Sequence, residues 1–96
     1  GFINSLSWAY GALEEDGRSM SGIKQGVTLE IFGEGSSPGP YNPLKTKSTL
    51  LTFGQNMQHL ADKGVSCNIA SFVGATTVRI HVIGEDDREP NPQELA

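Results

Sequence analysis

The sequence is short of three features that mark whole classes of proteins: cysteine pairs, clustered basic residues and long apolar runs. Its single cysteine, Cys67, excludes an internal disulfide framework and a CxxC zinc motif. No apolar run approaches the length of a bilayer span, so a membrane is not an expected partner. The seven Lys and Arg residues are scattered and the net charge is −4, which argues against nucleic acid as a partner.

What the sequence does contain is a regular alternation of strand and helix patterns over 96 residues. The clearest strand is predicted over Val27–Phe32, where apolar residues recur at every second position and Glu30 falls on the opposite face. Further strands are predicted at Gly1–Ile3 and Val65–Phe72, and the Gly-, Ser- and Pro-rich segment Gly33–Pro43 is predicted to be a loop. Such alternation is typical of parallel strands joined by crossover helices.

Two helices are predicted from apolar spacing and from residues that favour helix ends. The first lies within Glu14–Gln25, where Ser19 is a candidate N-cap for a short helix through Ile23 and Lys24 and Gly26 is its C-terminal stop. The second has Ser48 as its candidate N-cap and ends at Lys63, where Gly64 supplies a backbone with positive φ.

The last part of the chain gives one ambiguous pattern and one clear one. Thr76–Ile83 fits either a strand or a short helix, whereas Asn91–Glu94 carries the cap, proline and acid that start a helix. The chain stops two residues later and opens inside an apolar run. We therefore expect 1–96 to be part of a larger α/β domain, cut at both ends, whose uncovered strands could pair with another copy of the chain.

Three stretches of the sequence resemble one enzyme family. They are Gly1–Asn4 (GFIN), Lys24–Thr28 running into Phe32–Gly33 (KQGVT, FG), and blocks between Lys63 and Leu95 (KGVS, NIA, VG, TVR, GEDDR, PQEL). Together they resemble the N-acyl-D-amino-acid deacylase (D-aminoacylase) branch of the amidohydrolase superfamily. The resemblance implies a (β/α)8 TIM-type barrel, of which 1–96 would supply about three parallel strands with crossover helices. It also implies a parent hydrolase acting on the C–N amide bond of a small-molecule N-acyl amino acid or related amide, usually with zinc.

The sequence departs from the family where the family binds its metal. The family's first strand ends in His-x-His, and the corresponding positions here are Leu6 and Trp8. Its second strand ends in Gly-Asn-Cys-Gly, where this chain has glycine at the Cys position, and a later His-Gly is replaced by Ala75-Thr76. Zinc needs imidazole, thiolate or carboxylate ligands. We therefore expect no metal site in this chain and no activity from it alone; the alternative is a metal-free relative with a binding or structural role, or with different chemistry.

The candidate substrate-binding residues are Trp8, Glu34 and Ser36, and no catalytic residue is assigned. Glu34 follows a strand end, which is the catalytic side of a barrel, although a solvated loop carboxylate is the alternative. Trp8 and Tyr10 could form an aromatic wall of a pocket or pack at the barrel mouth. A phosphate cradle over Gly33–Ser37 is disfavoured because no helix and no P-loop lysine follow it.

Four other residues with reactive or charged side chains receive structural interpretations. Cys67 is predicted to be a buried thiol within a strand. His59 is predicted to be exposed on a helix, and His81 has no partner at metal-ligand spacing. Arg79 is predicted to have a structural role rather than to hold a substrate carboxylate.

Overall fold

The computed structural model describes all of residues 1–96 and contains one parallel β-sheet with helices. The strands are β1 (Phe2–Asn4), β2 (Val27–Phe32) and β3 (Asn68–Ser71). The helices are α1 (Tyr10–Glu15), α2 (Met20–Lys24), α3 (Phe53–Lys63), α4 (Ala75–Val82) and α5 (Pro92–Leu95). No helix has the length and apolar character needed to cross a bilayer.

The three strands lie side by side in chain order, and each pair is parallel. Asn4 is opposite Glu30, and Glu30 is in turn opposite Ile69, so these three positions share one face of the sheet. The predicted α/β class and the parallel pairing are confirmed. The strand β2 has the predicted bounds, whereas β3 begins at Asn68 rather than at Val65.

Within Glu14–Gln25, the short helix predicted to start after Ser19 and to run through Ile23 and Lys24 is confirmed as α2, whereas Glu14 and Glu15 belong to the separate helix α1. The segment between them turns at Asp16, whose carboxylate accepts hydrogen bonds from Arg18 Nε at 2.8 Å and Arg18 Nη2 at 2.7 Å. Ser19 makes no capping hydrogen bond and has φ 48°, in the left-handed region. Ser19 thus stands at the predicted N-cap position of α2, although its backbone differs from the extended conformation that is typical of N-caps.

The helix α3 begins at Phe53, later than predicted, because Thr52 rather than Ser48 caps it. Thr52 Oγ1 accepts a hydrogen bond from Gln55 N at 3.1 Å, and Gln55 Oε1 accepts one from Thr52 N at 2.9 Å. This reciprocal pair is a capping box. Ser48 Oγ instead accepts from Leu50 N in a local turn, and the predicted helix end before Gly64 is confirmed, with φ 88° at that glycine.

The two helix signals of the last third both correspond to helices in the structure. The ambiguous Thr76–Ile83 segment forms α4. The helix α5 has the predicted start: Asn91 Oδ1 accepts from Glu94 N at 2.9 Å, and Glu94 Oε2 accepts from Asn91 N at 2.8 Å.

The hydrophobic core lies between the sheet and the helices on one face only. Leu13 from α1, Phe32 from β2, Leu60 from α3 and Cys67 form a single buried cluster. The helix before β2, α1, and the helix after it, α3, both pack in the cluster that contains Phe32 of β2. Both crossovers therefore run over the same face of the sheet. On the opposite face Ile3 is exposed and its neighbours on β2 are half-buried, so that face is only partly covered.

Candidate functional site

The three predicted substrate-binding residues line one small cleft at the carboxyl ends of β1 and β2. Trp8, Glu34 and Ser36 surround a volume of about 160 Å³. Parallel strands end at the same edge of a sheet, so the segments that follow β1 and β2 emerge side by side. A backbone hydrogen bond of 2.9 Å from Ser7 N to Ile31 O holds the first segment against the second. Sequence spacing therefore placed these three residues correctly at one edge.

The inner wall of the cleft is aromatic. The rings of Tyr10 and Phe32 have centroids 5.7 Å apart and are tilted by 57°, an arrangement that aromatic pairs prefer. The Tyr10 hydroxyl donates to Asn56 Oδ1 at 3.2 Å, and the Tyr41 hydroxyl donates to the Ser37 carbonyl oxygen at 3.3 Å. The Tyr10 hydroxyl is thus held by a side chain of α3, and the Tyr41 hydroxyl by the backbone of its own loop.

Both tyrosines stay protonated well above neutral pH. Burial, followed by the charge of Glu14 and then by Tyr41, raises the pKa of Tyr10 to about 12. Burial and then Glu14 also raise the pKa of Tyr41. A phenol with a raised pKa serves as a hydrogen-bond donor near neutral pH and not as a general base.

The polar side of the cleft is fastened to the first turn of α4. The buried Thr77 hydroxyl accepts from Ser37 N at 2.8 Å and lies 3.4 Å from Ser36 Oγ. The backbone approaches closely here: a Cβ added at Gly74 would lie 2.4 Å from the Gly35 carbonyl oxygen. Glu34 projects from the same turn and is exposed at the rim. Hydrogen bonds and close backbone packing therefore hold the turn against α4. The Glu34 carboxylate remains accessible to solvent or to a ligand.

A second cavity of about 320 Å³ adjoins the cleft and shares Ser36 and Tyr41 with it. Its lining includes Lys45, His81 and Glu85. These residues were not predicted to belong to a site, since the loop after β2 carries no periodic pattern that would indicate where Lys45 lies. The His81 Nδ1 atom is buried and has no hydrogen-bond partner.

The residues where the resemblance expects zinc do not fit a metal ion. Leu6 and Trp8 follow β1 and are exposed, and neither side chain has a donor atom suited to zinc. No three His, Cys, Asp or Glu side chains come together as a potential metal site. The Nε2 atom of His59 lies 3.8 Å from Glu14 Oε1, with the His59 side chain about half-exposed.

The structural interpretations of Cys67 and Arg79 are confirmed. Cys67 is buried in the core, although it precedes β3 instead of lying within it. Arg79 Nη2 donates to the carbonyl oxygens of Asp86 and Arg88 at 3.1 and 2.6 Å. Arg79 thus anchors the charged turn before α5 through backbone contacts.

No protein-family model, curated protein or solved structure matches the chain.

Proposed function

We propose that the chain forms the first three strand–helix units of an amidohydrolase-like (β/α)8 barrel, similar to N-acyl-D-amino-acid deacylases, and that its cleft binds an N-acyl amino acid. Strands in chain order with crossovers over one face are what consecutive units of such a barrel require. Barrel enzymes bind substrate at the carboxyl ends of their strands. The observation that carries the proposal is that Trp8, Glu34 and Ser36 meet in one cleft at that edge.

The chemistry of the cleft suits the three parts of an N-acyl amino acid. Trp8 and the aromatic wall offer apolar surface to the acyl group. The Glu34 carboxylate is an acceptor for the amide N–H, and the Ser36 hydroxyl is a donor for the acyl oxygen. Lys45, in the adjoining cavity, supplies a positive charge for the substrate carboxylate.

In this proposal the chain binds and orients the amide, and it does not by itself cleave the C–N bond. The parent family uses a zinc ion to polarise the carbonyl and activate water. Because Leu6 and Trp8 stand at the ligand positions of the resemblance, no step through a metal is assigned to these residues. The same observation favours a second candidate, a metal-free relative that binds such amides without hydrolysing them.

Ligand binding can be measured through Trp8, which is the only tryptophan in the chain and lies on the cleft. We expect N-acetyl-D-leucine to change its fluorescence saturably, whereas 4-methylpentanoate, which has the side chain and the carboxylate but neither an amide nor an ammonium group, does not. Ser36→Ala and Glu34→Gln should weaken binding about tenfold, the effect of losing one hydrogen bond to a polar ligand. Ser66→Ala is the matched control, because Ser66 is exposed and does not line the cleft.

Two outcomes would contradict the proposal. The absence of a saturable response, or equal binding by Ser36→Ala and Ser66→Ala, would remove the cleft as the substrate site. Release of D-leucine from the N-acetyl compound by the chain alone, followed by mass spectrometry, would contradict the statement that these residues bind without cleaving. In a longer protein containing this chain, stoichiometric zinc needed for turnover would decide against the metal-free candidate.

A further inference from the structure

Glu30 is a buried carboxylate whose charge has no cationic partner. It lies in the middle of β2, on the same face as Phe32, and is only 4% exposed. None of the ion pairs in the structure includes it. Its Oε2 atom accepts one hydrogen bond, from Asn4 Nδ2 at 2.9 Å. Burying a carboxylate is costly unless it is paired, and one neutral donor compensates only part of that cost.

The carboxylate lines the largest cavity of the molecule, which lies between α1, α2 and the first two strands. The cavity has a volume of about 700 Å³, within the size range of small-molecule sites. Its lining includes two carboxylates, Glu30 and Asp16, and contains no Lys, Arg or His. Both Asp16 oxygens already accept hydrogen bonds from Arg18. The Glu30 Oε1 atom is therefore the free anionic acceptor of this cavity.

The hydroxyl oxygen of Ser19 and Glu30 Oε1 both lie close to Gly22 of α2. A methyl group added at Gly22 would be 3.1 Å from Glu30 Oε1 and 3.4 Å from Ser19 Oγ. One carboxylate oxygen and one hydroxyl are too few for calcium, which takes six to eight oxygen ligands. They suit the short, directional N–H donors of an ammonium group. Trp8, at the rim, adds an aromatic face that attracts cations.

We propose that this cavity binds a small molecule with a primary ammonium group, which donates to Glu30 Oε1 and Ser19 Oγ while its apolar part packs near Trp8. The site is separate from the cleft of Glu34 and Ser36, and the inference does not rest on the proposed function. Trp8 lines both cavities, so its fluorescence responds to either one. Variants in each cavity are therefore needed to assign a response.

The probe is n-butylammonium chloride, titrated by isothermal calorimetry and by Trp8 fluorescence. Its comparators are tetramethylammonium chloride, which has the charge but no N–H group, and n-butanol, which has the chain length but no charge. We expect n-butylammonium to bind at least about tenfold more tightly than either, because a charge-assisted hydrogen bond contributes that much. Equal binding of tetramethylammonium would assign the response to the aromatic rim and overturn the proposal, as would the absence of binding.

Two variants test the position of the ammonium group. Glu30→Gln keeps the shape and removes the charge, and should weaken n-butylammonium binding about tenfold or more. Gly22→Ala places a methyl group 3.1 Å from Glu30 Oε1 within a helix, where alanine is favoured over glycine, and should also weaken binding. Glu15→Gln is the matched control, since Glu15 is exposed and does not line the cavity.

Circular dichroism establishes that each variant is folded before it is titrated. If Glu30→Gln does not fold, Gly22→Ala decides alone. Unchanged affinity in a folded Glu30→Gln or Gly22→Ala variant overturns the proposal, and so does an equal loss in Glu15→Gln. Unchanged binding of n-butylammonium by Glu34→Gln is the further result expected if the two cavities act separately.

Discussion

Replacing Leu60 by alanine should remove a large part of the stability of the fold. Leu60 is 0% exposed and packs in the core cluster with Leu13, Phe32 and Cys67. Each buried carbon group contributes about 0.8 kcal/mol, so losing three of them costs about 2.4 kcal/mol in transfer free energy. The cavity left behind raises the total to about 3 to 4 kcal/mol. A chain of this length has an unfolding free energy of about 5 to 14 kcal/mol.

Urea unfolding followed by far-UV circular dichroism measures this loss. Leu44→Ala is the matched control, because the same atoms are removed from a side chain that is 93% exposed; its expected cost is below about 0.5 kcal/mol. We expect the urea midpoint to fall sharply for Leu60→Ala and to stay near the original value for Leu44→Ala, with similar slopes. Equal losses in the two variants, or a loss below about 1 kcal/mol at Leu60, would refute the core described above.

Two further predictions concern single hydrogen-bonding groups. Tyr10→Phe should cost about 1 to 3 kcal/mol in urea unfolding, because it leaves the Oδ1 atom of the buried Asn56 without a donor; an unchanged midpoint would contradict this. Hydrogen bonds from the Arg88 side chain and then from the Asn91 amide lower the pKa of Glu94 from an ordinary 4.5 to about 2. Since the folded-state pKa is depressed, this stabilisation is complete above pH 4.5 and disappears as the pH falls towards 2; Glu94→Gln should flatten that part of the stability profile, and an identical profile would count against it.

The parts of the fold that were predictable are those with a strong local pattern. The strand Val27–Phe32 has the predicted bounds because its alternation is regular and Gly26 and Gly33, both with positive φ, limit it. The start of α3 was misplaced because Ser48 and Thr52 are both good caps. Which of the two residues caps the helix depends on where the preceding loop places the backbone. Tertiary contacts determine that position, and the local sequence does not show them. Ser19 was placed correctly at the start of α2, but its positive φ and the absence of a capping hydrogen bond could not be predicted from its residue type.

The candidate site was partly predictable as well. Trp8, Glu34 and Ser36 lie at one edge of the sheet, as expected of residues that follow parallel strands. Thr77 and Lys45 were not predicted, because they reach the cleft and its adjoining cavity through α4 and through a long irregular loop. Alternation assigned Glu30 to a face of the strand, but it cannot tell which face the helices cover. The buried carboxylate therefore became visible only in the structure.

The parallel order of the strands also governs how the chain can fold. Phe2 pairs with Val27, and Leu29 pairs with Asn68, so every strand contact joins segments that are far apart in sequence. A sheet of this kind has no hairpin from which to grow, and long loops must close before any ladder hydrogen bond forms. The turn that carries Glu34 packs against α4 through contacts of similarly long range, such as the hydrogen bond from Thr76 N to the Gly35 carbonyl oxygen. The edge of the sheet that carries the cleft therefore depends on contacts between distant segments, and such contacts form slowly during folding.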